Sequence, residues 1–282
     1  MSHHVTSLDN LVVVITGAGS GIGRALAVNV AEKGALLALS DVDEAGLAET
    51  VDLVKNAGAR EVRSDRVDVA DRAAMTAYAA DVAEHFGRVN VVFNNAGVAL
   101  TGHFEETAYA DLDWIVGVNF WGVVQGTKEF LPHLIASGNG HVVNISSLFG
   151  LISVPSQSAY NATKYAVRGF SEALREEMLV SGHPVGVTVV HPGGIKTAIA
   201  RNARVTASED QAATAQLFDK RLATMTPDKA ARIIVDGMLS GKARVLVGLD
   251  AHALHHFARL TGSRYQDVVA RVSRTVKPPT IV

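Results

Sequence analysis

With 282 residues, 48% of them apolar and 19% charged, the chain is long enough for one large α/β domain or two small ones. A formal net charge of −2 shows no basic excess, which argues against nucleic acid or an anionic membrane surface as main partner. There is no cysteine, so disulfides, thiol catalysis and cysteine-ligated metals are excluded, and no apolar run reaches the roughly 18 residues of a membrane span.

The first ten residues are polar and lack a signal-peptide core, so a cytoplasmic location is expected; His3 and His4 read as a chain end, not a site. Short β-branched runs then alternate with longer amphipathic segments, the pattern of repeated βαβ units. Strands are predicted at Leu11–Ile15, Leu36–Ser40, Glu61–Val67, Val89–Phe93, His141–Ser146, Val185–His191 and Val245–Val247. Helical stretches such as Gly21–Lys33, Glu44–Ala57 and Arg72–Phe86 lie between them. Seven strands with crossover helices imply an α/β fold: one doubly wound parallel sheet of the Rossmann type. No Pro/Gly/Ser-rich linker divides the chain, so a single domain is expected over residues 1–250, with a helical extension and tail over 251–282.

The first strand runs directly into a glycine-rich turn, residues 16–23, of sequence TGAGSGIG. Such a turn lets the backbone approach a diphosphate, and the free N–H groups at a helix start favour negative charge. The usual G-x-G-x-x-G spacing is not met: counted from Gly17 and Gly19, the third glycine falls on Ile22. An ATP-type P-loop is absent as well. Asp41 ends the second strand 18 residues beyond Gly23, near the spacing of a carboxylate that holds an adenosine ribose. It would accept from both ribose hydroxyls and repel a 2′-phosphate, by about 1–4 kcal/mol at a few ångströms. Neither Val42 nor Ser20 offers a compensating cation, so NAD is predicted over NADP.

Tyr160 and Lys164 stand four residues apart, which on a helix puts a phenol and an ammonium on one face. Ser147 precedes the tyrosine by thirteen positions. A free phenol, with a pKa near 10, is a poor base, but a neighbouring cation favours phenolate and a positioned hydroxyl can hold the substrate oxygen. The set reads as a proton-transfer site for an alcohol or carbonyl.

Residues from about 197 to 226 carry no strand signal and include a polar stretch, 201–211, with Arg201 and Arg204 read as solvated. Beyond Asp250 two short helices and a proline-containing tail are expected, with Leu254, Phe257 and Leu260 recurring at helical spacing as a packing face. His252, His255 and His256 have helical spacing too, but no carboxylate completes a set; no metal is expected, and they read as surface or interface residues. Trp114 and Trp121 read as core or subunit-contact residues.

In these motifs the chain resembles the short-chain dehydrogenase/reductase family, over about residues 8–250. Thr16-Gly17-x-x-x-Gly21-x-Gly23 matches that family's cofactor turn, Asn94-Asn95-Ala96-Gly97 its N-N-A-G segment, and Pro192-Gly193 followed by Thr197 the segment that meets the nicotinamide. Ser147, Tyr160 and Lys164 match its catalytic serine, tyrosine and lysine, and Asn119 the fourth member.

The resemblance implies a role for each residue. Tyr160 is the general acid/base, and Lys164 binds the nicotinamide ribose and lowers the phenol's pKa. Ser147 polarises the substrate oxygen, and Asn119 positions a water near Lys164. Cofactor contacts are implied for Gly17, Ser20, Gly21, Ile22, Gly23, Asp41, Asn95, Ala96, Gly97, Pro192, Gly193, Ile195 and Thr197. Asp68 and Val69 resemble a pair that contacts adenine, although Asp68 fits equally as a plain strand-end carboxylate. Asn94 fits as a sheet stabiliser, and Ser146 as a residue hydrogen-bonded within its strand end. Hydride transfer on the pro-S face is implied as well.

By the same analogy Ser147, Leu148, Phe149, Leu151, Val154 and Ile199 line a substrate pocket under a lid, making it mainly apolar and suited to a lipophilic secondary alcohol or ketone. A homo-oligomer, dimer or tetramer, is implied. Two other classes compete: a cofactor-binding sensor without turnover, and a sugar-nucleotide epimerase or dehydratase. The complete Ser, Tyr, Lys and Asn set counts against the first, the glycine spacing and modest C-terminal region against the second.

Overall fold

A computed structural model describes residues 4–276. In chain order the elements are β1 (Val12–Thr16), α1 (Gly21–Ala31), β2 (Leu36–Asp41), α2 (Glu44–Asn56), β3 (Val62–Arg66), α3 (Arg72–Phe86), β4 (Val91–Asn94) and β5 (Leu100–Thr101). There follow α4 (Tyr109–Val116), α5 (Gly122–Ala136), β6 (Gly140–Ile145), α6 (Ser158–Ser181), β7 (Val185–Pro192), β8 (Arg204–Val205) and α7 (Gln211–Leu217). The chain continues through α8 (Pro227–Leu239), β9 (Arg244–Val247), α9 (Leu249–Thr261) and α10 (Tyr265–Val276).

Seven strands form one parallel sheet in the order β3-β2-β1-β4-β6-β7-β9. Val12, Val13, Val14 and Ile15 of β1 are fully buried, as a strand covered on both faces requires. Each such side chain contributes about 1.5–3 kcal/mol on burial. Leu26 of α1, Leu47 of α2 and Ile234 of α8 belong to the core on one face; Val82 of α3, Phe130 of α5 and Leu174 of α6 belong to that on the other. Helix starts carry their own stop-and-start chemistry: Asp43 and Asp71 cap α2 and α3, and Thr226 with Pro227 opens α8. The strand order reverses between β1 and β4, which opens a crevice at the carboxyl ends of these strands, where sheets of this kind bind ligands.

The predicted strands all form, with ends displaced by a residue or two. Two expectations are corrected. The segment 197–226 is not strandless: Arg204 and Val205 pair in parallel with Leu100 and Thr101, and α7 follows. A two-residue strand whose partner lies about 100 positions away leaves no local periodic signal. Leu260 is 87% exposed and outside the packing face, whereas Leu254 and Phe257 do pack against a small core at the C-terminal end. The tail expected beyond α10, and His3, lie outside the described residues. No helix among the described residues is long and apolar enough to cross a membrane.

Candidate active site

The glycine turn is built by close approach. Gly17 takes φ +65°, and a Cβ there would sit 2.7 Å from Ala96 Cα; Gly21 takes φ +53° with the Thr197 side chain 3.2 Å from where its Cβ would be. A Cβ on Gly23 would overlap the Gly17 carbonyl, so this third glycine is what lets α1 dock on the end of β1. Asn95 holds the turn from the next strand, its Nδ2 donating to the carbonyls of Thr16 (2.9 Å) and Gly17 (3.0 Å). The exposed Ser20 makes no side-chain cap on α1, whose first turn has no acidic residue. Backbone N–H groups at a bare helix start beside a side-chain-free cradle are the donor set a diphosphate takes. Ile22, partly buried, packs against the core and Ile195 lies within it.

Asp41 is held at the end of β2. Its Oδ2 accepts from Gly19 N–H at 2.7 Å and its Oδ1 from Asp43 N–H at 3.0 Å. A cation that sequence reasoning passed over stands nearby. Arg24 donates to the carbonyls of Gly19 and Gly46 (3.0 Å to the latter) and to Thr50 Oγ1 (3.0 Å), and pairs with Glu49 at 2.9 Å. Its arginine at the fourth position of a helix gave no signal of that reach. Asp68 is exposed and accepts from Ala70 N–H at 2.9 Å; Val69 is buried, and a Cβ on Gly122 would meet it at 2.7 Å. The donor set and the placed carboxylate therefore fit a dinucleotide.

At the ends of β4 and β6 the polar residues converge. Asn119 is fully buried in a π-helical turn, Gly117–Trp121, between α4 and α5, and bonds both backbone groups of Val98: Oδ1 accepts from its N–H (2.8 Å), Nδ2 donates to its carbonyl (2.9 Å). Such wide turns recur at functional sites. A Cβ on Gly97 would lie 3.3 Å from Asn119 Oδ1 and 3.4 Å from Lys164 Nζ, so this glycine is the gap across which the two side chains face each other. Lys164 is buried and donates to the carbonyl of Ile145 at 3.1 Å; its Nζ lies 5.6 Å from the centroid of the Tyr160 ring.

Burial lowers the Lys164 pKa to about 8 and raises that of Tyr160, while the nearby Ser147 hydroxyl pulls the phenol's pKa back down. The geometry thus differs from the expectation that Lys164 sets the phenol's pKa: burial acts most, and Ser147, not the lysine, opposes it.

Ser147 is placed by backbone contacts. Its Oγ accepts from Phe149 N–H (3.1 Å), and its carbonyl meets His191 Nδ1 at 2.8 Å. His191, immediately before Pro192, is fully buried and pushed down to about 4 by burial, so it is a neutral donor to that carbonyl. Sequence reasoning missed it. Ser146 bonds at its strand end as expected, its N–H donating to the carbonyl of Val190 at 2.9 Å, while its hydroxyl donates to the carbonyl of Lys164 at 2.8 Å and ties β6 to α6. Asn94 bridges Thr127 Oγ1 (2.9 Å) and Asn144 Oδ1 (2.8 Å), a sheet-to-helix tie.

Of the pocket residues, Phe149 meets the Tyr160 ring edge-on at 6.1 Å. Leu148 is turned instead into a small core shared with Ile152, Ala251 and Tyr265, and Leu151 is buried as well. Val154 is partly buried against that core and Ile199 partly buried in the segment after Thr197. Arg201 and Arg204 are not simply solvated: Arg201 pairs with Asp219 at 2.7 Å, and Arg204 pairs with Asp111 at 2.8 Å while lying 3.9 Å over the Trp114 ring. Trp114 is half-buried and Trp121 is 44% exposed, so neither is a core residue. His255 is buried while His252 and His256 face outward, and no group of three metal-ligating side chains occurs among the described residues.

A family model described as short chain dehydrogenase matches residues 11–208. SadH of Mycobacterium tuberculosis, described as an oxidoreductase, is 61% identical over 266 residues, covering 94% of this chain and 96% of its own. A short-chain dehydrogenase/reductase of Burkholderia phymatum, solved in complex with NAD, is 34% identical with a TM-score of 0.85, covering 92% of this chain and 96% of its own. Levodione reductase is 30% identical with a TM-score of 0.76, covering 88% and 98%.

Proposed function

The chain belongs to the short-chain dehydrogenase/reductase family of oxidoreductases, and from that premise we propose that it interconverts a lipophilic secondary alcohol and the matching ketone with NAD(H) as hydride carrier. The observation that carries this reading is the convergence of Ser147, Tyr160 and Lys164 on one site, with the Lys164 ammonium 5.6 Å from the centre of the Tyr160 ring and the Ser147 hydroxyl near enough to pull the phenol's pKa down.

NAD, when bound, would supply the acceptor for the hydride that leaves the alcohol carbon. Tyr160, as phenolate, takes the hydroxyl proton as the C–H electrons leave, and the ketone forms; in reduction the phenol returns that proton. Ser147 orients the substrate oxygen, so little ordering remains to be done at the moment of reaction. Lys164, charged below about pH 8, binds the nicotinamide ribose. Asn119, its amide fixed by Val98, positions a water near Lys164. Asp41 selects NAD over NADP by repelling a 2′-phosphate.

Phe149, Val154 and Ile199 make the substrate side apolar, which supports an aliphatic, aromatic, terpenoid or steroid body. An NAD preference leans towards oxidation. The protein assembles as a homo-oligomer, for which light scattering on the full chain is the measure.

Incubation with NAD and a panel of secondary alcohols, followed by NADH absorbance, tests the proposal with wild type beside Tyr160→Phe. The expected result is turnover that falls by about 10²–10⁴ in the variant while NADH still binds. An inactive wild type that binds NADH tightly, or an unaffected variant, would overturn it.

A further inference from the structure

The C-terminal helices touch both walls of this site. α9 begins at Leu249, straight after β9, and its second residue, Asp250, is turned back beneath the Pro192-Gly193-Gly194 segment. The carboxylate accepts from Gly194 N–H at 2.7 Å, and Gly193 N–H donates to the carbonyl of Val247 at 2.8 Å. Both Gly193 and Gly248 (φ +113°) lack room for a Cβ because of that carboxylate.

On the other wall, Tyr265 at the start of α10 is 8% exposed. Its hydroxyl accepts from Ser153 N–H at 3.0 Å. Leu148, Ile152, Ala251 and Tyr265 share one small core, with Phe149 and Val154 packed against it. Asn161 of α6 grips the same loop from within, donating to the carbonyls of Phe149 (2.8 Å) and Ile152 (3.0 Å). The loop that carries Ser147 and Phe149 is therefore held between the helix of Tyr160 and the extension.

We propose that the extension is a two-point clamp on the active site, in which Asp250 is a positioning residue for the cofactor-side segment and Tyr265 for the substrate-side loop. The inference rests on the proposed reaction for its catalytic meaning, but its two contacts sort onto different observables. A hydrogen bond to a partly buried backbone N–H contributes about 1–2 kcal/mol, or roughly 5- to 30-fold in a binding constant.

The test uses full-length wild type, Asp250→Ala, Asp250→Asn and Tyr265→Phe. Three quantities are measured: NADH dissociation by fluorescence, KM and kcat for the best alcohol at saturating NAD, and amide hydrogen exchange over 148–155 and 192–196. Asp250→Ala is expected to weaken NADH roughly 5- to 30-fold and to speed exchange only over 192–196. Asp250→Asn, which keeps a carbonyl acceptor, restores most of both. Tyr265→Phe is expected to leave NADH binding intact, to lower kcat/KM for the alcohol by a similar factor and to speed exchange only over 148–155. Variants that shift both segments together, or neither, overturn the clamp. A wild type silent on every alcohol, with the two exchange differences intact, would instead sink the proposed reaction and leave the clamp standing.

Discussion

Replacing Asp41 by Asn tests the cofactor preference through a single charge. The carboxylate is fixed beside the glycine turn by two backbone donors, Gly19 N–H at 2.7 Å and Asp43 N–H at 3.0 Å. A unit charge on a 2′-phosphate about 4 Å away would be opposed by about 1 kcal/mol in water and about 4 kcal/mol at an effective dielectric of 20, a span of roughly 5- to 10³-fold. Arg24 is the cation at hand, but it is engaged by two carbonyls, Thr50 and Glu49, so it cancels only part of the repulsion. The wild type is therefore expected to bind NADH about 10- to 100-fold more tightly than NADPH.

Asn carries one acceptor oxygen where Asp has two, so one of the two backbone donors loses its partner, at about 0.5–1.5 kcal/mol. That cost falls on both cofactors and cancels in their ratio. Titration of nicotinamide fluorescence with NADH and NADPH needs no substrate, and the Asn variant should bring the ratio to within about threefold of one, chiefly by tightening NADPH. Added salt should shrink the wild-type ratio and leave the variant's unchanged. A wild-type ratio near one, or a ratio that Asn does not move, would refute the electrostatic reasoning.

Three further outcomes follow from burial and packing. Lys164 is lowered to about 8, below its unfolded value near 10.4, so the folded state binds fewer protons between those values and stability rises with pH across that window. Lys164→Met should raise the thermal midpoint at pH 7, by the equivalent of about 1–3 kcal/mol, and abolish that rise; a midpoint lower than wild type at pH 7 would count against it. His141 and His191 are depressed by burial to about 3 and about 4, so the stability they hold above pH 6.5 should be lost as pH falls towards 4. Thermal melts that stay flat from pH 7 to pH 4.5 would contradict this. In Gly23→Ala the new Cβ would overlap the Gly17 carbonyl, so NADH affinity should fall at least tenfold or the chain should fail to fold, by an overpacking cost of about 1–3 kcal/mol; unchanged NADH binding would show that the turn can relax.

The sheet was legible because its strands are β-branched runs buried on both faces, as Val12 to Ile15 illustrate, and such runs differ locally from the helices between them. The glycine turn and the Tyr160–Lys164 spacing were legible for the same reason: the geometry they need lies within a few consecutive residues. What escaped depends on partners far along the chain. Asn119 finds Val98 through a widened helical turn that has no compositional mark, and Arg204 finds Trp114 and Asp111 across some 90 positions. Leu148 was misplaced because it packs with Ala251 and Tyr265, residues far along the chain that no local pattern joins to it. The Asp250 and Tyr265 contacts lie in a region whose periodicity announces helices and nothing about what they grip.

The π-helical turn at Gly117–Trp121 also restricts how this chain can change length. It holds one residue more than an α-helical turn would, so deleting any one residue there would let the segment rewind into ordinary α-helix. The helices on either side would keep their facing, so Trp114 and Asp111 would still hold Arg204 of the covering segment. What would be lost is the widened turn that carries Asn119 to the Val98 backbone. One missing codon would therefore cost the site its buried amide and spare the fastening of its cover, whereas a deletion in the exposed turn at Gly138 would cost neither.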